Sequence, residues 1–220
     1  MYDYSEDTFI KLAELKVKYM IRLNENIFVL SSGFDSGAFS GFRFLYLDTL
    51  EITFPDLENN TGTGFGYWYS LGGDNYLVLS NRYSFPTVHK YNLSTNELIR
   101  LDDADYSVKS VIKLKDDKYL VVYQSSAYIF NNFDNSMTEL EVPLTAGNYS
   151  VPSLTGSCKV NENIVFISGN YGCYKYDIDL NSMEVITDFG GRYDSFVDNG
   201  DGTFTISSSE KGFSFDYDLT

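Results

Sequence analysis

The chain carries one histidine, His89, set between Val88 and Lys90-Tyr91. A hydrolytic triad or a zinc centre needs further partners, a nucleophile and base or several ligating side chains. With a single imidazole in the sequence, His89 is read as a structural or surface residue. Asp198-Asn199-Gly200-Asp201-Gly202-Thr203 suggests a calcium loop but lacks its alternate-position acid and closing Glu. Gly with Asp and Asn is also what a tight hairpin demands for positive φ. Gly62-Thr63-Gly64-Phe65-Gly66 is not followed by Lys-Ser/Thr or by a helical pattern, so it does not cradle phosphate. No metal or cofactor is expected. Carboxylate pairs, drawn from 31 acidic residues, are the enzymatic chemistry that remains.

The elements that would position these groups repeat along the chain. A short polar turn precedes an apolar run at Ile27-Phe28-Val29-Leu30, Tyr76-Leu77-Val78-Leu79, Tyr119-Leu120-Val121-Val122, Ile164-Val165-Phe166-Ile167 and Thr203-Phe204-Thr205-Ile206. Runs that are apolar on both faces, β-branched or aromatic, and bounded by turn residues read as strands buried on both sides. Upstream segments such as Tyr19 to Leu23, Val111 to Leu114 and Ser157 to Val160 supply a preceding strand. A third signal follows at Leu45-Tyr46-Leu47-Asp48, Lys90-Tyr91-Asn92-Leu93, Tyr128-Ile129-Phe130-Asn131, Lys175-Tyr176-Asp177-Ile178 and Ser214-Phe215-Asp216-Tyr217. A last strand, such as Glu97 to Leu101 or Met183 to Thr187, ends the unit. Four meandering strands per unit make a propeller blade.

The runs start at 27, 76, 119, 164 and 203, a mean period of 44 residues, and five such units account for all 220 residues. The expectation is one all-β domain over 1–220, a five-bladed β-propeller of four-stranded antiparallel blades. Its blades lie at roughly 17–61, 62–105, 106–148, 149–191 and 192–220 with 1–16. The last unit lacks an outer strand, and Tyr2 to Ile10 parallels Tyr91 to Ile99 position by position. The segment Phe9 to Leu12 is therefore expected to complete that blade and close the ring.

Ile164 to Asp177, with Ser168-Gly169 and Tyr176-Asp177, resembles the kelch repeat, as does Tyr91-Asn92 with Thr95-Asn96. The kelch glycine doublet is single here, at Gly33 and Gly169, and Trp68 is the only tryptophan, so neither the later kelch Trp nor a Trp-Asp dipeptide is present. The resemblance implies propeller architecture, with tachylectin-like lectins and five-bladed glycosidases as shape analogues. In such a ring the first strands line the channel. The acids expected there are Glu14, Asp194 and Asp198, too few and without the long insertions of a glycosidase pocket, so the chain is read as a non-enzyme. Cys158 and Cys173 fall on first and third strands of one blade, too far apart to bridge, and are expected as reduced thiols.

The 16 basic residues leave a formal charge of −15. That charge repels nucleic acid and anionic membranes. No secretory leader or membrane-spanning run is found. The expectation is a soluble, cytoplasmic or virion-borne protein. Turns between first and second strands carry Glu25, Asp74, Asp116, Asp117, Glu162 and Asp201 and read as a solvated acidic rim. At the opposite blade ends, Gly33 to Phe42 is long, and Phe65, Tyr67, Tyr106, Tyr149 and Tyr193 stand in blade connections. Aromatic loop tips suit binding. The expected binding residues are Phe34, Asp35, Phe39, Phe42, Tyr67, Tyr106, Tyr149 and Tyr193, holding a protein partner. The alternatives are a glycan ligand or a structural place in a larger assembly such as a virus particle.

Overall fold

The computed structural model describes residues 2–3, 8–9, 17, 19–31, 42–53, 65–80, 88–102, 108–144, 153–170, 172–187, 195–208 and 213–218. All the regular structure among them is β. Sheet A comprises Tyr19–Arg22, Ile27–Ser31, Phe42–Tyr46 and Ile52–Thr53. Sheet B comprises Phe65–Gly72, Asn75–Ser80, Val88–Asn92 and Glu97–Asp102. Sheet C comprises Val108–Lys113, Lys118–Tyr123, Ala127–Asn131 and Ser136–Leu140. Sheet D comprises Leu154–Lys159, Ile164–Gly169, Gly172–Asp177 and Ser182–Thr187. Sheet E has Ser195–Asp198, Thr203–Ser208 and Phe213–Asp218. Each sheet is an antiparallel meander in chain order. The four-stranded pattern inferred from the repeat is thus observed in sheets A to D.

The chain divides into two compact units, Met1–Asp103 with sheets A and B, and Ala104–Thr220 with sheets C, D and E. The N-terminal strand Tyr2–Asp3 pairs with Thr8–Phe9 in the register Tyr2↔Phe9, Asp3↔Thr8. This is the register of the outer hairpin of sheet B, Tyr91↔Leu98 and Asn92↔Glu97. The parallel noted in the sequence is therefore real as a hairpin. Residues 10–16 lie outside the described residues.

Second strands are the best buried, as their apolar pattern requires. Every residue of Ile164–Gly169 is buried. Val165 and Ile167 pack with Leu120, Val122 and Leu154 of the C–D core, while Ile164 and Phe166 pack with Phe204 and Ile206 of the D–E core. One strand thus serves two sheet interfaces, which is why it is apolar up to Ser168, itself buried and hydrogen-bonded to Thr155. Gly169, which carried the kelch resemblance, faces Gly172 across the ladder. A Cβ there would lie 3.2 Å from two backbone oxygens, so close backbone approach explains the glycine. Cys158 and Cys173 are free thiols on the first and third strands of sheet D, and burial pushes the Cys173 thiol up to about 12.

The turns follow from the need for positive φ. In the first hairpin of sheet C, Asp116 and Asp117 both adopt it, at 51° and 57°, between Leu114 and Lys118, joined N–H to C=O at 2.8 Å. This is the conformation a two-residue hairpin loop needs to match strand twist. In sheet E the segment that suggested calcium is a hairpin, with Gly200 and Gly202 at φ 78° and 92°. The Asp201 carboxylate accepts the Thr203 N–H at 3.0 Å and hydroxyl at 2.6 Å.

Candidate functional site

The outer hairpins share a four-residue turn whose last residue has positive φ: Leu50, Asn96, Asn135 and Asn181 in sheets A to D. Asparagine tolerates that conformation. In sheets B and D the turn is locked by the tyrosine five residues earlier. Tyr91 donates to Asn96 Oδ1 and Tyr176 to Asn181 Oδ1, each at 2.8 Å. Burial, then the nearby Asp177, pushes the Tyr176 phenol up to about 12, so it stays a donor at neutral pH.

The outer turns of sheets B and D lie near the preceding sheet, and ladder registers make the A–B and C–D junctions comparable residue by residue. Ile27 pairs Tyr46 in sheet A as Lys118 pairs Asn131 in sheet C, which also makes Phe44 equivalent to Ile129. At the A–B junction Ile27, Phe44 and Tyr46 pack with Trp68, Tyr76, Tyr91, Leu93 and Leu98. The rings form a continuous cluster. Phe42 meets Trp68 edge-on at 4.8 Å and Tyr91 at 5.9 Å, while Phe44 stacks on Tyr91 at 5.6 Å. Such pairs add about 0.5–1.5 kcal/mol each beyond area burial. The cluster buries the Trp68 indole N–H without a hydrogen-bond partner, so apolar packing outweighs that loss there.

At the C–D junction the same positions leave a groove. It has a volume of about 490 Å³. Leu114, Ile129 and Ile178 supply its apolar wall; Lys118, Asn131, Ser136 and Thr138 line it from sheet C, and Tyr176, Asp179 and Asn181 from sheet D. Replacing Phe44 by Ile129 and Tyr46 by Asn131 removes ring volume, and Lys118 prefers to carry its ammonium to water, where Ile27 fills space. Lys115 holds the two walls in register. Its ammonium bonds Asp179 Oδ1 at 2.8 Å and also Asn163 Oδ1, joining the first turn of sheet C to both turns of sheet D.

The outer turns of the two sheets that wall the groove each carry an exposed apolar side chain. Phe133 is 91% exposed and Leu180 74% exposed, each in the four-residue turn flanking one wall. Around them Asp116, Asp117, Asp134 and Asp179 outnumber Lys115 and Lys118. The Ser136 hydroxyl and N–H hydrogen bonds hold the Asp134 carboxyl below its ordinary value, so it is ionised at neutral pH. An apolar pair beside a polar-walled slot with an acidic margin can grip a side chain and steer a cation. Among the described residues no three His, Cys, Asp or Glu side chains gather to hold a metal. No helix there is long and apolar enough to cross a membrane.

Of the binding residues expected from the sequence, Phe34, Asp35, Phe39, Tyr106, Tyr149 and Tyr193 lie outside the described residues, as do Glu14 and Asp194 of the carboxylate reading. Phe42 requires correction. It is 1% exposed and belongs to the A–B core, because its strand starts there and turns its ring onto Trp68. Tyr67 is 52% exposed and sits on the first strand of sheet B instead of a connection. His89 is partly buried on the third strand of sheet B, where burial and then Arg100 lower its pKa to about 4. The groove itself was missed. The aligned runs set Ile27 against Tyr119, and only the ladder registers set Lys118 and Asn131 where Ile27 and Tyr46 stand.

No family model and no curated protein matches the sequence. Solved structures do match. An extracellular domain ascribed to a one-component system of B. thetaiotaomicron aligns over 90% of this chain and 25% of its own, at TM-score 0.59 and 11% identity. The Dos1 propeller aligns over 86% of this chain and 49% of its own, at TM-score 0.54 and 9% identity. YCF48 bound to a D1 peptide aligns over 91% of this chain and 64% of its own, at TM-score 0.51 and 11% identity. This chain spans less than two thirds of each of these structures. The likeness identifies the fold as that of the β-propellers.

Proposed function

We propose that this chain is a non-enzymatic β-propeller binding module that holds a protein partner at the C–D junction. The observation that carries the reading is the open, polar-walled groove at a position the A–B junction fills, with exposed Phe133 and Leu180 in the outer turns of the two sheets that wall it. Exposed aromatic and aliphatic anchors beside a pocket are the usual energetic centre of a protein interface. The groove gathers amides, hydroxyls and a lysine already bonded to a carboxylate. The fold has a precedent for peptide capture in the neighbour bound to a D1 peptide. The finer architecture belongs to the same proposal: sheet E is the fifth blade, and the segment Phe9 to Leu12 supplies its outer strand.

A pull-down from the native source, run beside a glycan array, tests the reading. The native chain should retain a protein that Phe133→Ala/Leu180→Ala loses at unchanged melting temperature. Glycan binding with no protein dependent on these two residues would contradict it.

A further inference from the structure

We infer that the C–D groove is an aromatic side-chain slot, which takes a tyrosine from an extended, basic segment of the partner. This deepens the binding-module reading and rests on it. The argument begins with what fills the equivalent space at the A–B junction. There the fold places Tyr46 and Phe44 over Leu93, with Ile27 beside them. At the C–D junction Leu93 has its counterpart in Ile178, and Leu23 in Leu114, so the apolar wall is kept. What is missing is the ring. Asn131 and Ile129 stand where Tyr46 and Phe44 do, and the space remains as a cavity of about 490 Å³. That volume exceeds one side chain and accommodates a short stretch of extended chain around an anchor.

The polar groups select which ring. A buried phenol needs a hydrogen-bond partner, and Asn131, Thr138, Asn181 and the Lys118 ammonium line the cavity where a ring could present its hydroxyl. Asn131 Oδ1 and Asn181 Oδ1 already accept from the Phe133 N–H and the Tyr176 hydroxyl, so a phenol would be met by the amide N–H groups, the Thr138 hydroxyl and the ammonium, which phenylalanine would desolvate without return. Charge selects the flanking residue. The margin carries Asp116, Asp117, Asp134 and Asp179 against two lysines, on a chain of net charge −15, so an adjacent Arg or Lys is attracted and an adjacent Glu repelled. Phe133 and Leu180 then cover the entering chain from either side.

The probe is acetyl-Arg-Tyr-amide, titrated into the isotope-labelled full chain and followed at the Ile129 and Ile178 methyls and the Asn131 and Asn181 side-chain amides. Saturable shifts at these groups are expected, at least tenfold weaker with acetyl-Arg-Ala-amide and weakened with acetyl-Glu-Tyr-amide. In Lys118→Ile/Asn131→Tyr, which rebuilds the A–B filling, the shifts should vanish while the fold is kept and the melting temperature is not lowered. Absence of saturable shifts at about 10 mM peptide, tenfold above the millimolar range expected of so small a ligand, overturns the slot. So does undiminished binding to the filled variant. The wider reading fails separately. A partner lost with Phe133→Ala/Leu180→Ala but retained by the filled variant leaves the docking surface standing and removes only the aromatic slot.

Discussion

The A–B and C–D junctions are built from one ladder register and differ in the side chains set on it, among them those at three positions beside the groove. Ile27, Phe44 and Tyr46 close the first with an aromatic core; Lys118, Ile129 and Asn131 leave the second open. Neither strand order nor the four-residue outer turn changes, so the backbone repeat tolerates both outcomes. On the binding-module reading proposed above, stability and function are thereby allotted to different junctions of one repeated frame. The filled junction accepts a buried indole N–H without a partner to gain ring packing. The open one spends packing to keep hydroxyls, amides and an ammonium within reach of a ligand.

The comparison breaks first if the two junctions respond alike to truncation. Phe44→Ala should destabilise the protein by about 3–5 kcal/mol, the range for emptying a buried aromatic site. Ile129→Ala, beside an existing cavity and only partly buried, should cost less than about 2 kcal/mol. Urea denaturation of both variants checks this, and equal losses would show the C–D junction to be packed as tightly as its counterpart.

The next effect in size concerns His89, on the filled side. Its pKa falls from 6.5 to about 4 in the folded chain. Between those values the unfolded chain binds the extra proton, so the stability that this group contributes is complete above about pH 6.5 and is lost as pH falls to about 4. Partial exposure reduces the full linkage value to about 1–2 kcal/mol. The many carboxylates titrate in the same region, so the measurable quantity is the difference between native protein and His89→Gln. That difference should shrink on acidification, and a pH-independent difference would place the imidazole in water.

A smaller gain is expected from Lys118→Ile/Asn131→Tyr, about 0.5–2 kcal/mol of added stability, the usual return for filling a cavity or polar gap. A loss in thermal melts would mean the C–D walls cannot accept the A–B side chains. Smallest of all is Lys115→Ala. The Lys115–Asp179 pair is 36% and 54% exposed at its two side chains, so its removal should alter stability by less than about 1 kcal/mol. Its larger consequence should be weaker peptide binding, because the groove walls lose their cross-link.

The repeat, the second-strand runs and the outer hairpins were legible because each rests on local chemistry. Apolar runs such as Ile164 to Ile167 and turn residues such as Asn181 mean the same thing wherever the chain goes. The strand placement of Cys158 and Cys173 followed from that frame. Phe42 was not legible as core, since a phenylalanine ending a long loop and one starting a strand look identical until the register fixes which side it faces. The groove was hidden for a related reason. Lys118 and Asn131 are ordinary surface residues within their own sheet, and their meaning appears only when they are laid against Ile27 and Tyr46 and the next sheet's turn. Expectations for the aromatic loops, Phe34 and Phe39 among them, concern residues outside those described.

The central claim is that the C–D junction is open to a partner where the A–B junction is shut. Thr53 and Thr138 occupy the same register position, opposite Phe44 and Ile129 respectively. A photo-crosslinking residue placed at each position in turn, in the full chain exposed to the native extract, tests the claim most directly. Position 138 should give a protein adduct that acetyl-Arg-Tyr-amide suppresses, and position 53 should give none. Equal adducts from both positions, or an adduct at 53 alone, would contradict the account.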